Sequence, residues 1–212
     1  MKKMKLITLT LAIATSFTMI MNSCSEDVNS GNYKPVPDSE ESGVAIQNIM
    51  TRTSVRQYTG RQIPQDTVRI LLQAAMAAPS AVDKRPWEFV VLNNQEKRDL
   101  IGKAVPGVGD KTKTAGAVIL ICGNSERFIE QAPEYWVQDC SAATENLLLA
   151  ANALGLGAVW CGVYPIQDRV ADVKRILGLP DNLVPLNVIT VGYPTAIQTP
   201  KDKWDESRII TI

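Results

Sequence analysis

Arg52, Ser54 and Arg56 stand at i, i+2 and i+4. In an extended segment that spacing sets all three side chains on one side. Two guanidiniums and a hydroxyl suit a phosphate monoester plus a second electron-rich group, because arginine grips phosphate through a planar fork. The same pentapeptide taken alone also reads as a solvated basic strip. A second group, Ser80, Asp83, Lys84 and Arg85, lies between Pro79 and Pro86. Prolines stiffen a connection, and stiff loops between regular elements are where binding side chains concentrate. The chain has no histidine. That excludes a Ser-His-Asp triad, a Cys-His pair and His-ligated zinc or haem. An enzyme of this composition draws its chemistry from a cofactor.

The elements that must position these groups are legible from periodicity. Gly43 to Thr51 and Gln65 to Ala78 read as amphipathic helices, the second with Val68, Leu71, Leu72, Ala75 and Met76 on one face. Trp87 to Val91 is a strand, Asn94 to Ala104 a polar surface helix, and Pro106 to Asp110 a loop. Ala117 to Cys122 is a buried strand. Pro133 opens a long helix to Leu154, apolar almost all round in its second half and therefore expected to be fully enclosed. Strands at Ala158 to Cys161 and Leu186 to Val191 flank a helix from Gln167 to Leu177, and Arg208 to Ile212 suits an edge strand. Helices and strands mix without strict alternation, which argues an α+β fold. Gly155-Leu-Gly157 follows a helix and precedes a strand, the reverse of a dinucleotide fingerprint. The glycines and lysines of residues 102–114 never take P-loop order.

Basic and acidic residues balance at 22 each, so nothing suggests a nucleic-acid partner. The N-terminus has the form of an export signal: three lysines within Met1 to Lys5, then an uncharged apolar run from Leu6 to Met21. That run is short for a membrane-spanning helix. Met21-Asn-Ser-Cys24 resembles a bacterial lipobox with Cys24 as the lipidated residue, the alternative being a plain secretory signal. The expected organisation is a signal at 1–23, a polar tether at 24–42 and one domain at 43–212. Loss of the signal removes three of the 22 basic residues, leaving 19 against 22 acidic ones. Cys122, Cys140 and Cys161 read as buried small hydrophobes rather than disulfide or metal partners.

From about residue 43 onward the sequence resembles the nitroreductase family of FMN-dependent oxidoreductases. The resemblance rests on Arg52-Thr-Ser-Val-Arg56, Pro64, Ala78-Pro-Ser-Ala81 and Arg85-Pro-Trp-Glu-Phe-Val-Val91, in that order. Gly155-Leu-Gly-Ala-Val-Trp-Cys-Gly-Val-Tyr-Pro165, Val191-Gly-Tyr-Pro194 and Pro200-Lys-Asp-Lys-Trp-Asp-Glu206 complete it. It implies a three-layer α/β/α sandwich, an intertwined homodimer, and one FMN in each of two interface sites. Arg52, Thr53 and Ser54, with Lys201 and Lys203 of the tail, match the region that holds the phosphate. Arg56 matches the basic residue near the pyrimidine edge. Pro79, Ser80, Ala81, Asp83 and Arg85 match the loop contributed by the partner subunit. Trp160, Cys161 and Gly162 match the strand end beside the reactive N5. The implied reaction passes electrons from NAD(P)H through the flavin to a nitroaromatic, a quinone or a similar acceptor, with no catalytic side chain. Export raises the alternative of a lipoprotein that carries electrons without NAD(P)H turnover. Two positions depart from the family pattern: Asp83 stands where Asn is usual and Arg85 where Gln is usual. An ionised Asp83 accepts hydrogen bonds but cannot donate one, and the two charges can compensate each other.

Overall fold

The computed structural model describes residues 40–212. The signal segment, Cys24 and most of the tether lie outside the described residues. Helix α1 (Glu40–Thr51) begins three residues before the expected Gly43. After α1 come α2 (Gln65–Met76), β1 (Trp87–Val91), α3 (Gln95–Ala104), α4 (Lys111–Thr114) and β2 (Ala117–Asn124). The chain continues through α5 (Tyr135–Ala153), β3 (Gly157–Gly162), α6 (Gln167–Leu177) and β4 (Leu183–Gly192).

The four strands form one antiparallel sheet in the order β1-β2-β4-β3. Strand β2 is buried along its whole length and feeds both faces of the sheet. Ile119 and Ile121 pack with Leu71 and Ala75 of α2 and with Leu147 and Ala151 of α5. Val118, Leu120 and Cys122 turn the other way and pack with Ile101 of α3 and Val170 and Val173 of α6. This period-two division of a continuously apolar strand produces the three-layer α/β/α sandwich. Burial pushes the Cys122 thiol up to about 12 and also raises Cys140 well above the thiol range. Both are the small buried hydrophobes the sequence suggested.

Four expectations are corrected. Residues 209–212 make no strand; a short 3-10 turn at Glu206–Arg208 is followed by an exposed end. Without a described neighbour to pair with, that segment has no ladder to join. Helix α5 is not fully enclosed either: Leu149 and Ala150 stay half-buried on the side where, among the described residues, α1 and α2 pack against it. It also starts at Tyr135 rather than Pro133. Strands β2 and β4 run longer than the apolar blocks alone indicated, since the ladder extends Gly123 and Asn124 against Val184 and Leu183.

Candidate active site

The basic strip lies across the end of the sheet because two glycines leave room for it. Gly157 of β3 and Gly192 of β4 face each other in register. A Cβ on Gly157 would fall 2.5 Å from Val55 Cβ, and one on Gly192 2.7 Å from the Tyr58 ring. The strip is then tied down. Val55 donates its N–H to the Ala158 carbonyl at 3.0 Å, and Ser54 and Tyr58 form bridges with Ala158 and Pro194. The Tyr58 hydroxyl lies 2.7 Å from the Val55 carbonyl and 2.9 Å from both the carbonyl and the hydroxyl of Thr190. Burial raises its phenol far above the usual range, so it stays a donor. Val55 points inward, which turns Ser54 and Arg56 outward together.

Arg52 is mostly buried, and its Nε lies 3.0 Å from Glu145 Oε1 on α5. The contact is an ion pair on one side of the guanidinium, and among the described residues the remaining N–H groups of the fork have no hydrogen-bond partner. Thr53 is half-buried beside it. Arg56 donates to the Ser54 carbonyl at 3.3 Å. It lines an open pocket of about 430 Å³ with Gln57, Tyr58, Asp110, Lys111 and Thr114. Lys111 is the addition here. Its Nζ donates to the Gly107 and Val108 carbonyls at 3.0 and 3.3 Å. Asp110 is neutralised by Lys113 at 2.7 Å, and that hydrogen bond holds its carboxyl below the usual range. The pocket therefore has a net positive character.

The end of β3 meets the same charges. Cys161 Sγ lies 2.9 Å from the Gly107 carbonyl. Burial raises its thiol, with Lys111 and Arg56 pulling the other way. Trp160 is half-buried, and nothing stands within 4 Å of where a Gly162 side chain would be. A flat ligand can approach that backbone closely.

The Pro79–Arg85 loop is built separately. Ala81 N–H donates to Asp139 Oδ1 at 2.9 Å, and Arg85 N–H donates to Ser80 Oγ at 2.9 Å. Arg127 donates to the Arg85 carbonyl at 3.2 Å. Val82, Asp83 and Arg85 have φ of +43°, +56° and +47°, a conformation costing each non-glycine residue about 1–3 kcal/mol. Asp83 and Arg85 form a two-pronged ion pair, with Nε to Oδ1 at 2.7 Å and the second prong from Nη2 to Oδ2. The Arg85 hydrogen bond holds the Asp83 carboxyl below its ordinary range. The two unusual residues of the loop thus answer each other rather than Lys84.

Within one chain the loop and the strip do not converge. Both touch α5, the loop at Asp139 and Arg52 at Glu145. Six residues of helix turn those positions about 120° apart around the axis. Lys201 and Lys203 stand on the exposed tail, and among the described residues no hydrogen bond or ion pair ties them to the strip.

The nitroreductase family model matches residues 49–114 and 106–193. The chain belongs to the nitroreductase family. A relative from Methanothermobacter thermautotrophicus, named as an NADH dehydrogenase/NAD(P)H nitroreductase, is 44% identical over 164 residues. The match spans 77% of this chain and 84% of that one. A crystal structure from Parabacteroides distasonis, carrying the same name, superposes with a TM-score of 0.75 at 41% identity, over 79% of this chain and 97% of the other. A nitroreductase from Desulfovibrio desulfuricans, solved in complex with FMN, matches with a TM-score of 0.70 at 28% identity, over 79% and 96%. Against this nitroreductase frame, sequence reasoning had nominated the Arg52–Arg56 strip but missed Tyr58, Lys111 and Asp139. Nothing in the Lys-Thr-Lys-Thr run at 111–114 or in the first half of α5 marks those side chains, because Lys111 meets Arg56 across the pocket and Asp139 meets Ala81, each more than fifty residues away in sequence.

Proposed function

We propose that this nitroreductase-family oxidoreductase binds FMN between two copies of the chain and passes electrons from NAD(P)H to a nitroaromatic, a quinone or a similar acceptor. The convergence of Arg56 and Lys111 on one pocket beside the β3 end carries this reading. The donor set fits the cofactor: the free fork of Arg52 and the Ser54 hydroxyl suit a phosphate. Arg56 and Lys111 suit an electron-rich pyrimidine edge, and the open backbone at Gly162 suits the ring. When bound, FMN supplies two-electron chemistry, accepting hydride from the reductant and releasing electrons to the acceptor. Cations held at the edge where negative charge develops favour the reduced state. No side chain is needed as nucleophile.

A second copy supplies what one chain lacks. The loop points away from the strip, and Val82 at its tip is 78% exposed. The tail exposes Ile197, Trp204, Ile209 and Ile210, more apolar surface than a free segment carries without a partner. We assign these to the homodimer interface, with Pro79, Ser80, Ala81, Asp83 and Arg85 offered to the flavin held by the other strip. Lys201 and Lys203 travel with that tail to the phosphate. The signal-like N-terminus and Cys24 support a reading in which the enzyme meets a membrane by lipid anchoring alone.

Steady-state assays of the purified chain with NADH and NADPH, against a nitroaromatic and a quinone, test the activity. Flavin-dependent oxidation of either donor is expected. A chain that holds FMN and turns over neither donor is instead an electron carrier.

A further inference from the structure

Asp139 lies in α5 with only 7% of its surface exposed. Among the described residues its carboxylate has no ion pair, and its hydrogen-bond partner is the Ala81 N–H at 2.9 Å. A buried carboxylate is costly unless it is hydrogen-bonded, so Asp139 and the group that donates to it depend on each other. Here the dependent element is the loop with three left-handed, non-glycine residues, Val82, Asp83 and Arg85. Such a conformation persists only when its surroundings over-determine it. Asp139 holds the entry of the loop. Arg127 holds its exit, donating to the Arg85 carbonyl at 3.2 Å while facing Glu88 at 3.8 Å. Ser80 Oγ, accepting from Arg85 N–H, closes the span between them.

We propose that Asp139 and Arg127 are positioning residues that brace the Pro79–Arg85 loop in the conformation that meets the flavin ring. The proposal rests on the FMN-binding reading above. The brace presets the loop before cofactor arrives, so less ordering is left to occur on binding. Because it acts on the ring side, its loss weakens any flavin ring equally, whether or not a phosphate is attached. That signature separates it from the Arg52 strip, and an unchanged thermal midpoint separates it from a general loss of stability.

The test measures dissociation constants of FMN and riboflavin for the full chain and for Asp139→Ala, Asp139→Asn and Arg127→Ala, with thermal midpoints alongside. Asp139→Ala is expected to weaken both flavins by the same factor, about tenfold, the scale of one charge-assisted hydrogen bond. Asp139→Asn keeps an acceptor oxygen and is expected to restore affinity to within about twofold of the native chain. Unchanged affinities in Asp139→Ala overturn the brace, as does weakening confined to FMN. If Asp139→Ala does not fold, Arg127→Ala decides, since Arg127 is half exposed. A smaller but equal loss for both flavins supports the brace, and no loss overturns it. A native chain that binds neither flavin overturns the functional reading first, which is a different result from a native chain that binds and variants that match it.

Discussion

Asp83 and Arg85 neutralise each other on the loop proposed to meet the flavin ring. Substituting one alone therefore leaves the other's charge facing the ring. Asp83→Asn should raise the reduction potential of bound FMN, because an unmatched guanidinium stabilises the charge that develops on reduction. Arg85→Gln should lower it, and the double variant should lie between the two. Potentiometric titration of the three proteins decides; an unchanged potential in both single variants removes the pair from the flavin. Arg52 is proposed for the other end of the cofactor. Arg52→Ala should weaken FMN by roughly one to two decades, the loss of a charge-assisted contact of about 1.5–3 kcal/mol. It should weaken riboflavin far less, and equal weakening of both would make the Arg52–Glu145 pair purely structural. At this scale the sequence showed the residue types but not their pairings. Arg52 and Arg56 were visible as a spaced basic pattern, whereas Glu145, Lys111 and Asp139 reach the site only through long-range folding.

Strip, loop and β3 end are held by elements whose reasons are steric. Gly155-Leu-Gly157 had the look of a phosphate motif and the wrong context for one; the structure gives Gly157 a different purpose, room for Val55. A methyl group there must displace the strip. Gly157→Ala should destabilise the fold by about 1–3 kcal/mol, the usual cost of overpacking. For a chain of this size that lowers the thermal midpoint by about 2–4 °C per kcal/mol. Adding Val55→Ala should recover part of the loss, and an undiminished loss in the double variant would refute the contact. Hydrophobic periodicity was enough to place nine of the ten described helices and strands, because β2 and the amphipathic helices follow it closely; the four-residue α4 is too short to show a period. It was not enough at the ends. The apolar Ile209, Ile210 and Ile212 imitate a strand, yet an apolar segment becomes one only where a neighbouring edge is available.

The whole molecule is a nitroreductase-family sandwich with an exported front end assigned to it from sequence. Cys24→Ala should move the protein from the membrane fraction to the soluble fraction while leaving flavin binding intact, since Cys24 precedes an 18-residue polar tether, Ser25 to Ser42. Fractionation with retained yellow colour is the readout, and membrane retention of the variant would indicate an uncleaved anchor. The three-layer fold was legible because its motifs keep their order along the chain. The expectation of a two-chain site comes only from the resemblance, since no periodicity marks an interface. The account stands on that two-chain site. Light scattering of the purified chain, read together with its visible absorption, tests it most directly. The expected result is a homodimer carrying one FMN per chain; a monomer that holds FMN at full occupancy would contradict it.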